Sequence, residues 1–176
     1  MNIWHDIAED RIKSGDFIAL IEISKGSKVK YKMDKETGAL IMDRILYTST
    51  HYPANYGFIP RTFASDGDPL DVLVLCSEEL VSMALVRCYP IGIIIMEDQG
   101  YNDEKVIAIP YNDPTYNNYS EISELPRHIF EEMVHFFSVY KTLEGKEIAL
   151  KKISGHLEAE RVINKSIDSY KIKFGR

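Results

Sequence analysis

The chain has 176 residues, 45% of them hydrophobic, which suffices for one domain with a real core but not comfortably for two. Its formal net charge of -6 argues against a nucleic-acid or anionic-membrane partner, because both normally demand excess Lys and Arg. No run reaches the roughly 20 apolar residues of a membrane span, and Trp4, His5, Asp6, Glu9 and Asp10 leave no apolar stretch for a signal peptide, so a single cytoplasmic domain over 1–176 is expected.

In chain order, residues 3–14 suit a short helix or turn that lays Trp4 and Ile7 on the body and ends at Gly15. Phe17 to Ile23 is a β-branched run interrupted by one acid, Glu22, which is either an edge residue facing water or an inward carboxylate of a cavity. Lys25 to Lys28 is a turn. Val29 to Met33 alternates apolar and basic residues, so Lys30 and Lys32 share a strand face. After a turn at Asp34 to Gly38, Ala39 to Thr48 reads as a strand broken by Asp43 and Arg44. Residues 51–60 place prolines around three aromatics, and their composition suggests a stiff aromatic loop.

Three carboxylates follow within six residues, Asp66-Gly67-Asp68-Pro69-Leu70-Asp71. At an effective dielectric of 20, like charges about 4 Å apart repel by roughly 4 kcal/mol. Hard divalent cations would relieve such crowding, since carboxylate oxygen is the donor they prefer. Gly67 and Pro69 would fix the turn. Val72 to Cys76 then reads as a buried strand, and Leu85 to Met96 as a long one with a bulge at Pro90 and Gly92. Cys76 and Cys88 both lie in apolar runs and are expected as buried thiols. A second acidic loop carries Glu97, Asp98, Asp103 and Glu104, closing on Lys105 before a short strand at Val106 to Pro110. Ile129, Phe130, Met133, Val134, Phe137 and Tyr140 fit an amphipathic helix that starts near Pro126 and closes by Gly145. A last helix, about His156 to Lys173, places Leu157, Val162, Ile163, Ile167 and Tyr170 on its apolar side. Strands followed by two helices make an α+β domain around a β-barrel.

Five carboxylates (Asp66, Asp68, Asp71, Asp98, Asp103) against Lys30, Arg44, Lys105 and Lys141 match what a metal-bridged phosphate substrate requires. Each part has a plainer reading. The Asp-Gly-Asp-Pro turn could be a solvated loop, Tyr140 and Lys141 a core contact and a helix C-terminal charge, and the aromatic segment mere packing. None of the five histidines shows paired ligand spacing, so all five are assigned to structure or solvent.

Taken together, Glu22, the Lys30 strand with Asp34-Lys35-Glu36-Thr37-Gly38, Asp43-Arg44, the segment from Tyr52 to Pro60, Asp66 to Asp71, Asp103-Glu104-Lys105 and His135-Phe136-Phe137 with Tyr140-Lys141 resemble the soluble family I inorganic pyrophosphatases. The resemblance implies a distorted five-stranded closed barrel of OB type flanked by two main helices. It also implies Mg2+-dependent hydrolysis of pyrophosphate, with several cations per site and Mn2+ or other divalent cations as substitutes. By motif position, Asp66, Asp71, Asp98 and Asp103 would hold metal. Asp68 would act on the bridging water, and Lys30, Arg44, Tyr56, Lys105, Tyr140 and Lys141 would bind substrate. Glu22 would be the inward cavity carboxylate. A homo-oligomer is implied, a hexamer ahead of a trimer. Two departures stand out: the family's Lys-Tyr-Glu becomes Lys30-Tyr31-Lys32, and its Pro-Gly turn becomes Ser82-Met83. The rival readings are a non-catalytic divalent-cation protein and an OB-type nucleic-acid-binding barrel.

Overall fold

The computed structural model describes residues 1–176. The elements in order are helix α1 (Ile3–Asp6), strands β1 (Ile12–Lys13), β2 (Asp16–Ile23), β3 (Val29–Met33), β4 (Leu40–Ile45), β5 (Asn55–Ile59), β6 (Leu70–Val74), β7 (Leu85–Asp98) and β8 (Tyr101–Pro110), helix α2 (Arg127–Val139), strand β9 (Ile148–Gly155) and helix α3 (His156–Phe174).

Strand β2 pairs with β5, β5 with β6, β6 with β8, β8 with β7, and β7 returns to β2, so five strands close a ring. The β6–β8 pairing is parallel and the other four are antiparallel. This is the expected α+β architecture with two principal helices. Closure also explains the apolar runs. On β6 and β8, Leu73 and Ile107 pack with Met133, Phe136 and Phe137 of α2, whereas Val72, Val74, Val106 and Ala108 pack with Ala159, Val162 and Ile163 of α3. Alternate residues point to opposite faces, and because each face is covered, both sets are apolar. Cys76 and Cys88 are buried free thiols, as expected.

Several expectations need correction. Residues 55–59 form β5, a fully buried ring strand rather than a loop. Pro53 and Pro60 flank this strand and remove no donor from its ladder. Gly57 is required within it, because a Cβ there would lie 1.7 Å from the carbonyl oxygen of Leu20. The acids from Glu97 to Glu104 sit on a hairpin rather than a loop. Strands β7 and β8 run up to Gln99 and Gly100, whose φ values of 52° and 83° make the tight turn that matches strand twist. Strand β4 stops at Ile45, and Ile12–Lys13 is strand rather than helix. Strand β9 was not expected at all; its exposed residues fall in one unbroken run, Ala149 to Lys152, so no alternation marks it. Leu157 is 72% exposed, because α3 packs through Ala159, Ile163, Ser166 and Tyr170, on the opposite side. No helix is long and apolar enough to cross a membrane.

The turn at Ser82-Met83 feeds β7 while capping β2. Ser82 Oγ donates to the Glu22 carbonyl at 2.9 Å, and Met83 N donates to the Ile21 carbonyl at 2.7 Å. Met83 holds φ at 72°, a region that costs a residue with a Cβ roughly 1–2 kcal/mol. Glycine escapes that strain but loses more chain entropy on folding, roughly 0.5–1 kcal/mol. Met83→Gly is therefore expected to stabilise the fold by about 0.5–1 kcal/mol, raising Tm by roughly 1–4 °C. A calorimetric scan showing a lower Tm would contradict this account of the turn.

Candidate active site

One cavity of about 600 Å³ opens at the end of the ring where β5, β6 and β8 meet the β3–β4 hairpin. The 66–71 turn enters it from one side, with Gly67 at φ 83°. The β7–β8 hairpin supplies Asp98, Asp103 and Lys105, and the end of α2 supplies Tyr140 and Lys141. The parallel register sets Asp71 beside Lys105, and alternation along β8 points Asp103 and Lys105 into the same space. Six carboxylates line the cavity (Glu22, Asp66, Asp68, Asp71, Asp98, Asp103), faced by the lysines Lys30, Lys32, Lys35, Lys105 and Lys141.

Lys105 sits at the centre, 2% exposed. Its ammonium lies 3.1 Å from Asp71 Oδ2 and 3.2 Å from Asp103 Oδ2, and it donates to the Tyr56 hydroxyl at 3.0 Å. It also stands 4.5 Å from the centre of the Phe137 ring. Burial alone would lower its pKa, but Asp103 and Asp71 outweigh that and hold it firmly protonated. Asp71 is pushed up to about 6, first by burial and then by Asp103 and Asp66 against the opposing pull of Lys105. Burial raises Asp66 as well, helped by Asp68 and Asp103. Lys30 falls to about 8 through burial and the neighbouring Arg44 and Lys141 charges. The Tyr56 phenol is driven up by burial and stays protonated. Lys141 is held charged by Tyr140 and by Asp98, 2.7 Å away, although burial opposes this.

The structure therefore brings Glu22, Lys30, Tyr56, Asp66, Asp68, Asp71, Asp98, Asp103, Lys105, Tyr140 and Lys141 into one cavity. Glu22 is inward and buried, where it accepts from Met33 N at 2.8 Å, so the edge-residue alternative fails. Arg44 is the exception. It is the cross-strand partner of Lys30, yet it lies outside the cavity lining and turns to Asp43 at 2.5 Å and Glu144 at 3.0 Å. Lys35 was missed. It comes from the Asp34–Gly38 turn to ion-pair with Asp68 Oδ1, and Lys32 lies 3.7 Å from Oδ2. No local pattern could reveal Lys35, because two distant turns make the contact.

The donor set fits hard divalent cations. Oxygen donors dominate, and Asp98 Oδ1 is buried without a partner. The five lysines fall one short of the six carboxylates, so a polyanionic substrate needs added positive charge. With the side chains as they stand, no three acids close around one point, since lysine ammoniums occupy the gaps.

The inorganic pyrophosphatase family profile matches residues 19–171. Soluble inorganic pyrophosphatase 2 of Chlamydomonas reinhardtii is 46% identical over 167 residues, covering 95% of this chain and 87% of that protein. The soluble inorganic pyrophosphatase of Zea mays is 45% identical, covering 95% and 78%. Among solved structures, the Helicobacter pylori inorganic pyrophosphatase superposes with a TM-score of 0.88 at 41% identity, covering 91% of this chain and 96% of that one. The Thermus thermophilus inorganic pyrophosphatase gives 0.89 at 33% identity, covering 97% and 99%.

Glu22 generates a pH prediction. Burial raises its pKa from 4.5 to about 7, with Asp71 adding to the effect. A carboxyl raised on folding favours the fold fully below its unfolded pKa and loses that favour as pH rises through its folded pKa. In metal-free protein, Glu22→Gln should lie within about 1 kcal/mol of wild type at pH 5. At pH 8.5 it should be more stable by about 3 kcal/mol, taking 1.36 kcal/mol per pKa unit. Urea melts at the two pH values measure this; parallel curves would refute it.

Proposed function

The chain belongs to the inorganic pyrophosphatase family, and from that membership we propose how its cavity hydrolyses pyrophosphate to two phosphates. The observation that carries the reading is the single cavity in which carboxylates and lysines face one another around Lys105. Divalent cations, Mg2+ in our reading with Mn2+ as a substitute, would be held by Asp66, Asp71, Asp98 and Asp103, would offset phosphate charge and would lower the pKa of water toward 7.

Asp68 acts as the base. It takes a proton from the water that attacks one phosphorus, while the bond from that phosphorus to the bridging oxygen breaks and the second phosphate departs. To do so, Asp68 must be released by Lys32 and Lys35. Lys30, Lys105, Lys141 and Tyr140 bind phosphoryl oxygens and fix the substrate for in-line attack. Tyr56, kept protonated by burial, donates toward the leaving phosphate. Arg44 joins by exchanging Glu144 for a phosphoryl oxygen, and its Nη2, buried without a partner, is a donor free for that use. Glu22 supplies inward negative charge when cations enter. Cytoplasmic residence suits the two reduced thiols. A homo-oligomer, a hexamer ahead of a trimer, suits exposed Leu143, Leu150, Leu157 and Ile172 on the C-terminal half.

Phosphate release from pyrophosphate should require Mg2+ and stop with EDTA; release that persists in EDTA would refute the cation requirement. Asp68→Asn should fold normally and lose at least about a hundredfold in kcat, the scale of general-base help. Retained activity would remove Asp68 from that role. Lys32→Glu adds a carboxylate and removes an ammonium at the cavity mouth. The variant should bind pyrophosphate but show a shifted Mg2+ dependence, and superimposable Mg2+ curves would eliminate any role for Lys32 in cation demand.

A further inference from the structure

Behind the catalytic cavity lies a second groove of about 370 Å³, between residues 63–65 and the C-terminal half of α3. The two cavities share a wall. Ser65 lines both, and on β8 the residue between Asp103 and Lys105, Glu104, faces the groove while its neighbours face the catalytic side. We propose that this groove is a binding site for a small phosphate monoester carrying hydroxyl donors, the class that includes sugar phosphates and nucleotides.

Lys165 and Lys173 supply the positive charge. Eight residues apart on α3, they are separated by about 12 Å along the axis, a gap that two flexible four-carbon side chains can close onto one phosphate. Neither is engaged in an ion pair, although other cations of the same helix are: Arg161 pairs with Glu158, and Lys171 with Glu9. Lys173 is held over the groove mouth, 5.9 Å from the centre of the Phe63 ring.

Two hydroxyls point to the same ligand. Ser166 is 5% exposed and lines the groove. Its carbonyl accepts from Phe63 N at 2.9 Å, but its hydroxyl has no protein partner. A serine lining the groove beside two ammoniums outside any ion pair makes a donor set for phosphate oxygen. Ser169, further along the same helix face, adds a second hydroxyl. Glu104 then selects within the class. Its carboxylate accepts from a sugar hydroxyl set several bonds from the phosphorus, a contact that inorganic phosphate is too small to make while it is held by Lys165 and Lys173. The flank of Phe63 gives a base or sugar ring an apolar surface.

The test measures binding to the full chain in EDTA by titration calorimetry, with amide NMR shifts at Ser166 and Ser169 locating the site. The probes are ribose 5-phosphate, AMP and inorganic phosphate, so that sugar phosphates and nucleotides are compared directly. At least one ester should saturate and bind at least about tenfold tighter than inorganic phosphate, a difference of about 1.4 kcal/mol. Lys165→Gln/Lys173→Gln should weaken it at least about tenfold while pyrophosphate turnover stays at the wild-type level. Lys30→Ala/Lys141→Ala in the catalytic cavity should leave ester binding unchanged. The proposal is overturned by no saturation below about 10 mM, by inorganic phosphate binding as tightly as the esters, or by loss of binding in the Lys30→Ala/Lys141→Ala variant. Because turnover and binding are read separately, failure here leaves the hydrolytic reading intact.

Discussion

The buried ammonium of Lys105 is the constraint on which the other parts of the site depend. A charge that is 2% exposed must be paired where it sits. Its partners come from three elements besides its own strand: Tyr56 from β5, Asp71 from β6 and the Phe137 ring from α2, with Asp103 two residues away on β8. One cation thus fixes the register of three ring strands and the seating of a helix. Loss of one partner of a buried pair costs roughly 3–5 kcal/mol, because the other charge is stranded. The same contacts that close the ring therefore hold two acids of the cavity in place before any ligand arrives.

Those acids are held against their own solvation. Burial raises Glu22, Asp66 and Asp71, and neighbouring carboxylates add to each shift. A fold selected for stability alone would replace such groups with apolar ones. Their retention in a fold otherwise apolar on both faces of its ring is the physical mark of a site built for cations, consistent with a family that hydrolyses a polyanion.

Legibility in the sequence followed periodicity. The run from Phe17 to Ile23 and the 3.6-residue spacing after His156 announced β2 and α3 almost to the residue. Strand β5 was hidden because its flanking prolines resemble a loop, and β9 because its exposed residues come consecutively, with no alternation. Hairpin acids passed for loop acids, since Gln99 in a left-handed conformation has no strong sequence signal. The acidic half of the site was visible as local density from Asp66 to Asp71. The cationic half was only partly visible: Lys35 reaches Asp68 from another turn, and Arg44 turns away to Glu144, which no local pattern reports.

Around the cavity, most acids already have a cation. Lys105 holds Asp71 and Asp103, Lys141 holds Asp98, and Lys32 with Lys35 holds Asp68. Under the roles proposed above, substrate and divalent cations enter by exchange. Phosphoryl oxygens would take over the lysines, and the carboxylates so released would be free to hold the cations. Charge need not be stranded at any stage, so the desolvation that makes an unpaired buried ion so costly is avoided. Asp68 differs from the rest in that two half-exposed lysines hold it, rather than one buried ammonium. It is the acid most easily freed, as a base that must receive a proton requires.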